Sequence, residues 1–311
     1  MVRKRSSRLP GWHGRPSGSD DARGWTFIHG RSRFARSTVP PGGLLATILV
    51  LATGCDTPQP TTQPTSHSTT RPSAQATPVG MGVARRIEAA HGMDAWAGKR
   101  AVACDLTLRF GGGVMLSGSM LYDPARGRSR MELDSGAVLV FDGRRAWISP
   151  SSAEAPMARF HLLTWPYFMA APFKLHDPGT HLTPLGRQPL GGKRHVTVRL
   201  TFDAGIGDSP DDWYVVYEDP ETSRLAAVAY IVTYGTSVAE AEKEPHVLVY
   251  EDFETIDGVV LGSTWTMYNW SLAQGIHGEP LGDVTLTNIR FVEPGASDFV
   301  RPADAREAQM P

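Results

Sequence analysis

Cysteine is almost missing from this chain: two occur in 311 residues, Cys55 and Cys104. With no CxxC pair and no Cys–His spacing, neither a disulfide framework nor a zinc module is indicated. No Gly-x-Ser-x-Gly elbow and no phosphate-binding glycine loop occurs. The cluster Gly111 to Gly113 precedes an alternating pattern rather than a helix, so it reads as a turn. No repeat recurs at a fixed period. Positive charge is also scarce where it would matter. Residues 1–54 hold nine of the 31 basic and two of the 32 acidic residues, which leaves 22 against 30 for the remainder, a net charge of −8. Such a remainder has no electrostatic footprint for nucleic acid and no polybasic stripe for anionic lipid.

What the chain does have begins with Leu44 to Ala52, a short apolar run behind Arg31, Arg33 and Arg36 and before Gly54-Cys55. A basic lead, a short apolar core and small residues at a cleavage point make a secretory signal peptide, and the run is shorter than the roughly 20 residues a membrane span needs. The cysteine at that point resembles the lipobox of bacterial lipoproteins, with Ala52 where that family usually has Leu. The resemblance implies acylation of Cys55, attachment to a membrane through that lipid, and a place in the cell envelope on the periplasmic face of the inner or the outer membrane. Residues 1–54 are thus expected to be leader and signal, and residues 55–78, rich in Thr, Pro, Ser and Gln, a disordered tether. Residues 79–302 remain for one β-rich domain, and 303–311 for a flexible tail.

Within the domain, Val83, Ile87 and Ala90 recur at helical spacing over Gly82 to Ala90, with His91-Gly92 as the stop. Period-2 alternation follows. Val102, Cys104, Leu106, Leu108 and Phe110 alternate with Ala103, Asp105, Thr107 and Arg109. Further strands are expected through Tyr122, Leu133, Phe141 and Ile148, then over 196–202, 213–217, 225–234, 247–253, 259–267 and 284–291. Leu225 to Tyr234 is apolar on both faces and should be covered on both. Asp142-Gly143 and Asp257-Gly258 mark hairpins. Wet and dry faces in alternation indicate an antiparallel sheet. Between the two strand groups, Met157, Phe160, Leu163 and Tyr167 are spaced for a helix that Pro166 should kink or split. This insert is the natural plug over the concave side.

Three stretches, Ala89–Trp96, Ala171–Gly179 and Asp257–Gly262, together resemble the bacterial outer-membrane lipoprotein-sorting carriers, the LolA/LolB-like superfamily. The resemblance covers roughly Val83 to Pro302. It implies an α+β, mainly β fold: a curved antiparallel sheet, an unclosed half-barrel, with helices packed on its concave side. In the carriers that hollow takes acyl chains. The chain departs from them in its tether and its acidic loop, so fold is implied more firmly than transport.

Cavity-lining candidates are Met120, Trp147, Trp213, Trp265 and Met267 from the strands and Phe160, Trp165 and Phe168 from the insert, against ordinary core packing. No cofactor, no metal and no catalytic residue is expected. His176, Asp177 and His181 read as a solvated turn, and Asp203, Asp208, Asp211 and Asp212 as a polar loop rather than a calcium site. Cys104 reads as a buried inert thiol, and the Asn269-Trp270-Ser271 sequon as incidental. The expected function is a monomeric, lipid-anchored, non-enzymatic protein that binds an acyl chain or a lipoprotein. The alternatives are a structural or interaction module whose core fills itself, and an envelope hydrolase in which His91, His195 or His246 would have to converge with other groups.

Overall fold

The computed structural model describes residues 78–309. The expected leader, Cys55 and the expected tether up to residue 77 lie outside the described residues. Two meanders and a central helical insert follow one another along the chain. A helix α1 (Pro78–His91) and a short α2 (Met93–Ala97) lead into β1 (Ala101–Phe110), β2 (Gly113–Asp123), β3 (Arg128–Leu133), β4 (Val138–Phe141) and β5 (Ala146–Ser149). The insert is α3 (Ala158–Ala170), extended by a 3-10 turn to Phe173. The second meander is β6 (Thr180–Leu190), β7 (Lys193–Phe202), β8 (Tyr214–Glu218), β9 (Leu225–Tyr230), β10 (His246–Ile256), β11 (Val259–Ser271) and β12 (Gly275–Val292), with a one-turn α4 (Val238–Ala241) before β10. A final β13 spans Arg306–Glu307.

Among the described residues the strands form one antiparallel sheet in the order β13-β5-β4-β3-β2-β1-β12-β11-β10-β9-β8-β7-β6. The meanders meet where β1 pairs with β12, and the sheet does not close, so β6 and β13 are its edges. This is the expected unclosed half-barrel. The hairpin at Asp257-Gly258 has both residues at positive φ, 48° and 83°, the geometry that matches the twist of its strands. The register between β11 and β12 jumps from Met267↔Gly282 to Asn269↔His277, so Gly278 to Leu281 bulge out. Bulges bend a strand sharply. The hairpin end beyond this one reaches the edge strand, where Gly275 lies so close to Pro189 that a Cβ would sit 2.4 Å from its carbonyl oxygen.

Two cores result. The main one fills the space between the sheet's inner face and the helices, with Ile87, Leu108, Met131, Leu139, Leu162 and Trp265 all under 2% exposed. The second lies on the outer face of β7 to β11, where Tyr217, Ala227, Ala229, Val247 and Trp270 pack together and Trp270 Nε1 donates to Tyr217 Oη at 2.8 Å. Leu225, Val228 and Tyr230 belong to the inner core and Ala227 and Ala229 to the outer one. The run that is apolar on both faces is therefore covered on both.

Four expectations change. Helix α1 starts at Pro78, one turn before Gly82. Strand β6 was hidden by Pro184 and Pro189, which a central strand cannot hold; β6 is an edge, where a missing N–H costs no ladder bond. Of the two outcomes expected at Pro166, the split does not occur: α3 runs through it without a break. Proline lacks the N–H that would reach Leu162 O, and the Ser129 hydroxyl from β3 donates to that carbonyl instead. The segment 303–311, expected as a flexible tail, is ordered through residue 309: Ala305 and Ala308 are buried, β13 pairs with β5, and Ala308 N–H donates to Ala146 O at 2.8 Å. Small side chains let it lie flat on the sheet's rim, and so short a strand carries no periodic signal.

Candidate functional site

The wall of the hollow is built by strand parity. Met120, Trp265 and Met267 share the inner face with Val102, Leu106, Leu248 and Val284, and all are buried. Helix α3 lies over the first meander and contributes Leu162, Trp165, Phe168 and Met169, with Phe160 partly exposed beside them. Helix α1 covers the second meander through Val83, Ala84 and Ile87. Six of the eight lining candidates are therefore brought together: Met120, Phe160, Trp165, Phe168, Trp265 and Met267. Trp147 and Trp213 are not among them. Trp147 lies between inward-facing Ala146 and Ile148, so alternation turns it outward, where it packs on Val140 and Ala305 under the Arg301 guanidinium and donates to Asp142. Trp213 precedes inward-facing Tyr214 and packs on the outer core, with Arg199 over its ring and Nε1 bonded to Glu242 at 2.9 Å. Selection by residue type alone missed this; parity along β5 and into β8 could have found it.

The hollow is filled by the protein's own side chains. Two open depressions lie on the outer face: one of about 230 Å³ among Ser119, Arg130, Glu132, Arg290 and Asp298, and one of about 400 Å³ beneath Ser297 to Pro302.

A seam runs between α3 and the rim of the second meander. Phe160, Leu163 and Tyr167 on one side and Phe202, Tyr214 and Val232 on the other are half-buried against the core, with half-buried Tyr234 near Phe160. Phe160 meets Tyr234 with centroids 5.5 Å apart, and Tyr167 stacks on Tyr214 at 5.6 Å. The seam is clasped by one ion pair. Arg159 at the start of α3 grips Asp208 with two N–H groups, Nε on Oδ2 and Nη2 on Oδ1 at 2.8 Å, while its guanidinium lies over Phe141. Such bidentate, part-buried pairs are the stronger kind. Beside it, Asp212 accepts from the Thr233 N–H and hydroxyl, both at 2.7 Å, and burial pushes its pKa up to about 6.

The acidic loop is thus divided among separate partners: Asp203 holds His181 at 2.7 Å, Asp208 holds Arg159, and Asp212 holds Thr233. His176 is drawn away to Glu88 on α1 at 2.8 Å. Among the described residues no three His, Cys, Asp or Glu gather at metal-binding range. The histidines named for hydrolysis do not converge either. His91 is a staple: its Nδ1–H donates to Val260 O at 2.7 Å and its Nε2 accepts from Leu225 N–H at 2.9 Å, joining α1 to β11 and β9. Burial lowers its pKa to about 4. His195 faces Tyr217 on the outer side, and His246 faces Tyr230. Burial pushes the Cys104 thiol up to about 12, which leaves it unreactive. Among the described residues no helix is long and apolar enough to cross a membrane.

No protein-family model and no curated protein matches the chain. Its fold is similar to solved structures. One is a DUF1329 family protein from Desulfovibrio piger (13% identity, 72% of this chain and 97% of that one covered, TM-score 0.46). Another is a LolA superfamily protein from Nitrosomonas europaea (10% identity, 71% and 97%, TM-score 0.47). A third is an outer membrane lipoprotein-sorting protein domain from Vibrio parahaemolyticus (12% identity, 71% and 96%, TM-score 0.45). Likeness at this level concerns the arrangement of strands and says nothing of what this chain binds.

Proposed function

We propose that the chain is a lipid-anchored, non-enzymatic envelope protein whose half-barrel takes a hydrophobic ligand, an acyl chain or the acylated end of a lipoprotein, beneath α3. One observation carries the reading. The cover of the inner face is a largely apolar helix whose seam with the second meander is half-buried, and its first turn is held across that seam by the Arg159–Asp208 ion pair. Withdrawal of α3 would uncover an apolar wall, and an acyl chain laid on it would gain about 0.8 kcal/mol per buried CH₂. No catalytic group is needed. Acylation of Cys55 would supply the membrane attachment that a net charge of −8 beyond the leader cannot.

Native mass spectrometry of the full chain incubated with palmitoyl lipids tests this. Adducts of acyl-lipid mass should be present and should increase severalfold in Arg159→Met. A chain that stays empty in both forms refutes the reading. It would favour instead an interaction module, which the self-filled core supports. Loss of detergent-phase partitioning in Cys55→Ser tests the anchor.

A further inference from the structure

Phe168, near the end of α3, sits inside a ring of tyrosines. Its ring centroid is 5.0 Å from Tyr230, 6.2 Å from Tyr167 and 6.3 Å from Tyr214. A fourth, Tyr250, donates its hydroxyl to the Phe168 carbonyl at 2.8 Å. Tyr214, Tyr230 and Tyr250 come from the neighbouring strands β8, β9 and β10, all on the inner face, and Tyr214 stands directly opposite Tyr230 in register. The phenols share one region: Tyr214 is influenced by Tyr167, Tyr230 and Tyr250, and Tyr250 by Tyr167 and Tyr230. Burial raises the pKa of all four, so each is an O–H donor and never a phenolate.

Phenylalanine would fill the same space without taking hydroxyls out of water. A patch of donors is therefore out of place in a hollow meant for plain hydrocarbon. It suits a ligand that brings an acceptor with its chain. In the closed state the Phe168 carbonyl serves as that acceptor for Tyr250 and the Phe168 ring fills the space between the phenols. The geometry points to Phe168 as a plug in a socket that takes an acyl chain together with its ester or amide carbonyl, with Tyr250 and Tyr230 as the donors. This rests on the acyl-binding reading above and narrows it. An alkane would leave the Tyr250 hydroxyl without an acceptor once α3 withdraws, and a fatty-acid anion would bring a charge into a dry site; both are disfavoured.

The test is displacement of 1-aminoanthracene, a fluorophore that brightens in apolar sites, from the full chain by ligands delivered in cyclodextrin. The ligands are methyl palmitate, octadecane of similar length, dipalmitoylglycerol and a palmitoylated cysteinyl peptide. Methyl palmitate should displace at about tenfold lower concentration than octadecane, the worth of one satisfied hydrogen bond. That ratio should fall towards one in Tyr230→Phe/Tyr250→Phe, with octadecane displacement unchanged or better. Whichever of the last two ligands is stronger tells a glycerolipid source from an acylated polypeptide. Equal displacement by ester and alkane in the wild type overturns the socket and leaves acyl binding standing. Absence of fluorophore uptake, in the wild type and in Phe168→Ala alike, overturns both. The wild-type ratio needs no variant, so a misfolded double mutant does not remove the test.

Discussion

The buried histidines make stability depend on pH in a calculable way. His91, His161 and His246 are 1%, 8% and 6% exposed, and burial lowers each pKa from 6.5 to about 4. His161 is held neutral in a defined tautomer, because its Nδ1 accepts from Trp165 Nε1–H at 2.9 Å. A depressed histidine pKa means that the unfolded chain binds more protons than the folded one between pH 4 and 6.5. Unfolding free energy then rises with pH through that window: the stabilisation is complete above pH 6.5 and is lost as pH falls towards 4. At pH 5 each of these histidines costs about 2 kcal/mol relative to pH 8. Asp212 acts in the opposite sense. Its folded pKa of about 6 lies above the unfolded 3.8, so acid favours the folded state there, by about 1 kcal/mol at pH 5. The net expectation is a loss of about 4–5 kcal/mol, a large share of the 5–15 kcal/mol typical of a domain. Urea unfolding of the full chain followed by tryptophan fluorescence at pH 8, 6 and 5 measures it. His161→Phe should reduce the drop by about 2 kcal/mol. A midpoint that stays constant or rises from pH 8 to 5 would refute the assignment of these three side chains as neutral and buried.

Three other outcomes follow from the geometry. Ser129→Ala leaves the Leu162 carbonyl of α3 without a donor opposite Pro166, and should cost about 1–3 kcal/mol in urea unfolding, against near zero for an exposed serine such as Ser151. Gly92 has φ 80° and a Cβ there would stand 2.1 Å from Gly258 O; Gly92→Ala should lower stability by about 3 kcal/mol or more, and a melting temperature equal to wild type would contradict the contact. Truncation after Pro302 removes β13 and uncovers Trp147 and Val140. It should lower stability by about 2 kcal/mol and increase hydrogen exchange along β4 and β5.

The two Asp-Gly hairpins and most strands are legible in the sequence because their signals are local: alternation, and residues that tolerate positive φ. The double-faced apolar run read over 225–234 was legible for the same reason, although the strand within it ends at Tyr230. Strand β6 was not, since prolines at 184 and 189 oppose a strand unless it lies at an edge, and edge position is a property of the assembled sheet. Choice by residue type picked six candidates that meet in the inner core, and also Trp147 and Trp213, which face outward because type ignores which side a strand residue faces.

What this sequence determines by itself is whatever depends on neighbours within a few residues: the alternating wall, the turns and the amphipathic α1, together with the −8 charge of residues 55–311. Tertiary structure decided the rest. The Ser129 donor for Leu162, the Arg159–Asp208 clasp, the His91 staple and the contacts of Tyr230 and Tyr250 with Phe168 join residues from 33 to 169 positions apart. Pairings at such separations leave no trace in local composition, because side chains that far apart meet only after the sheet has curved.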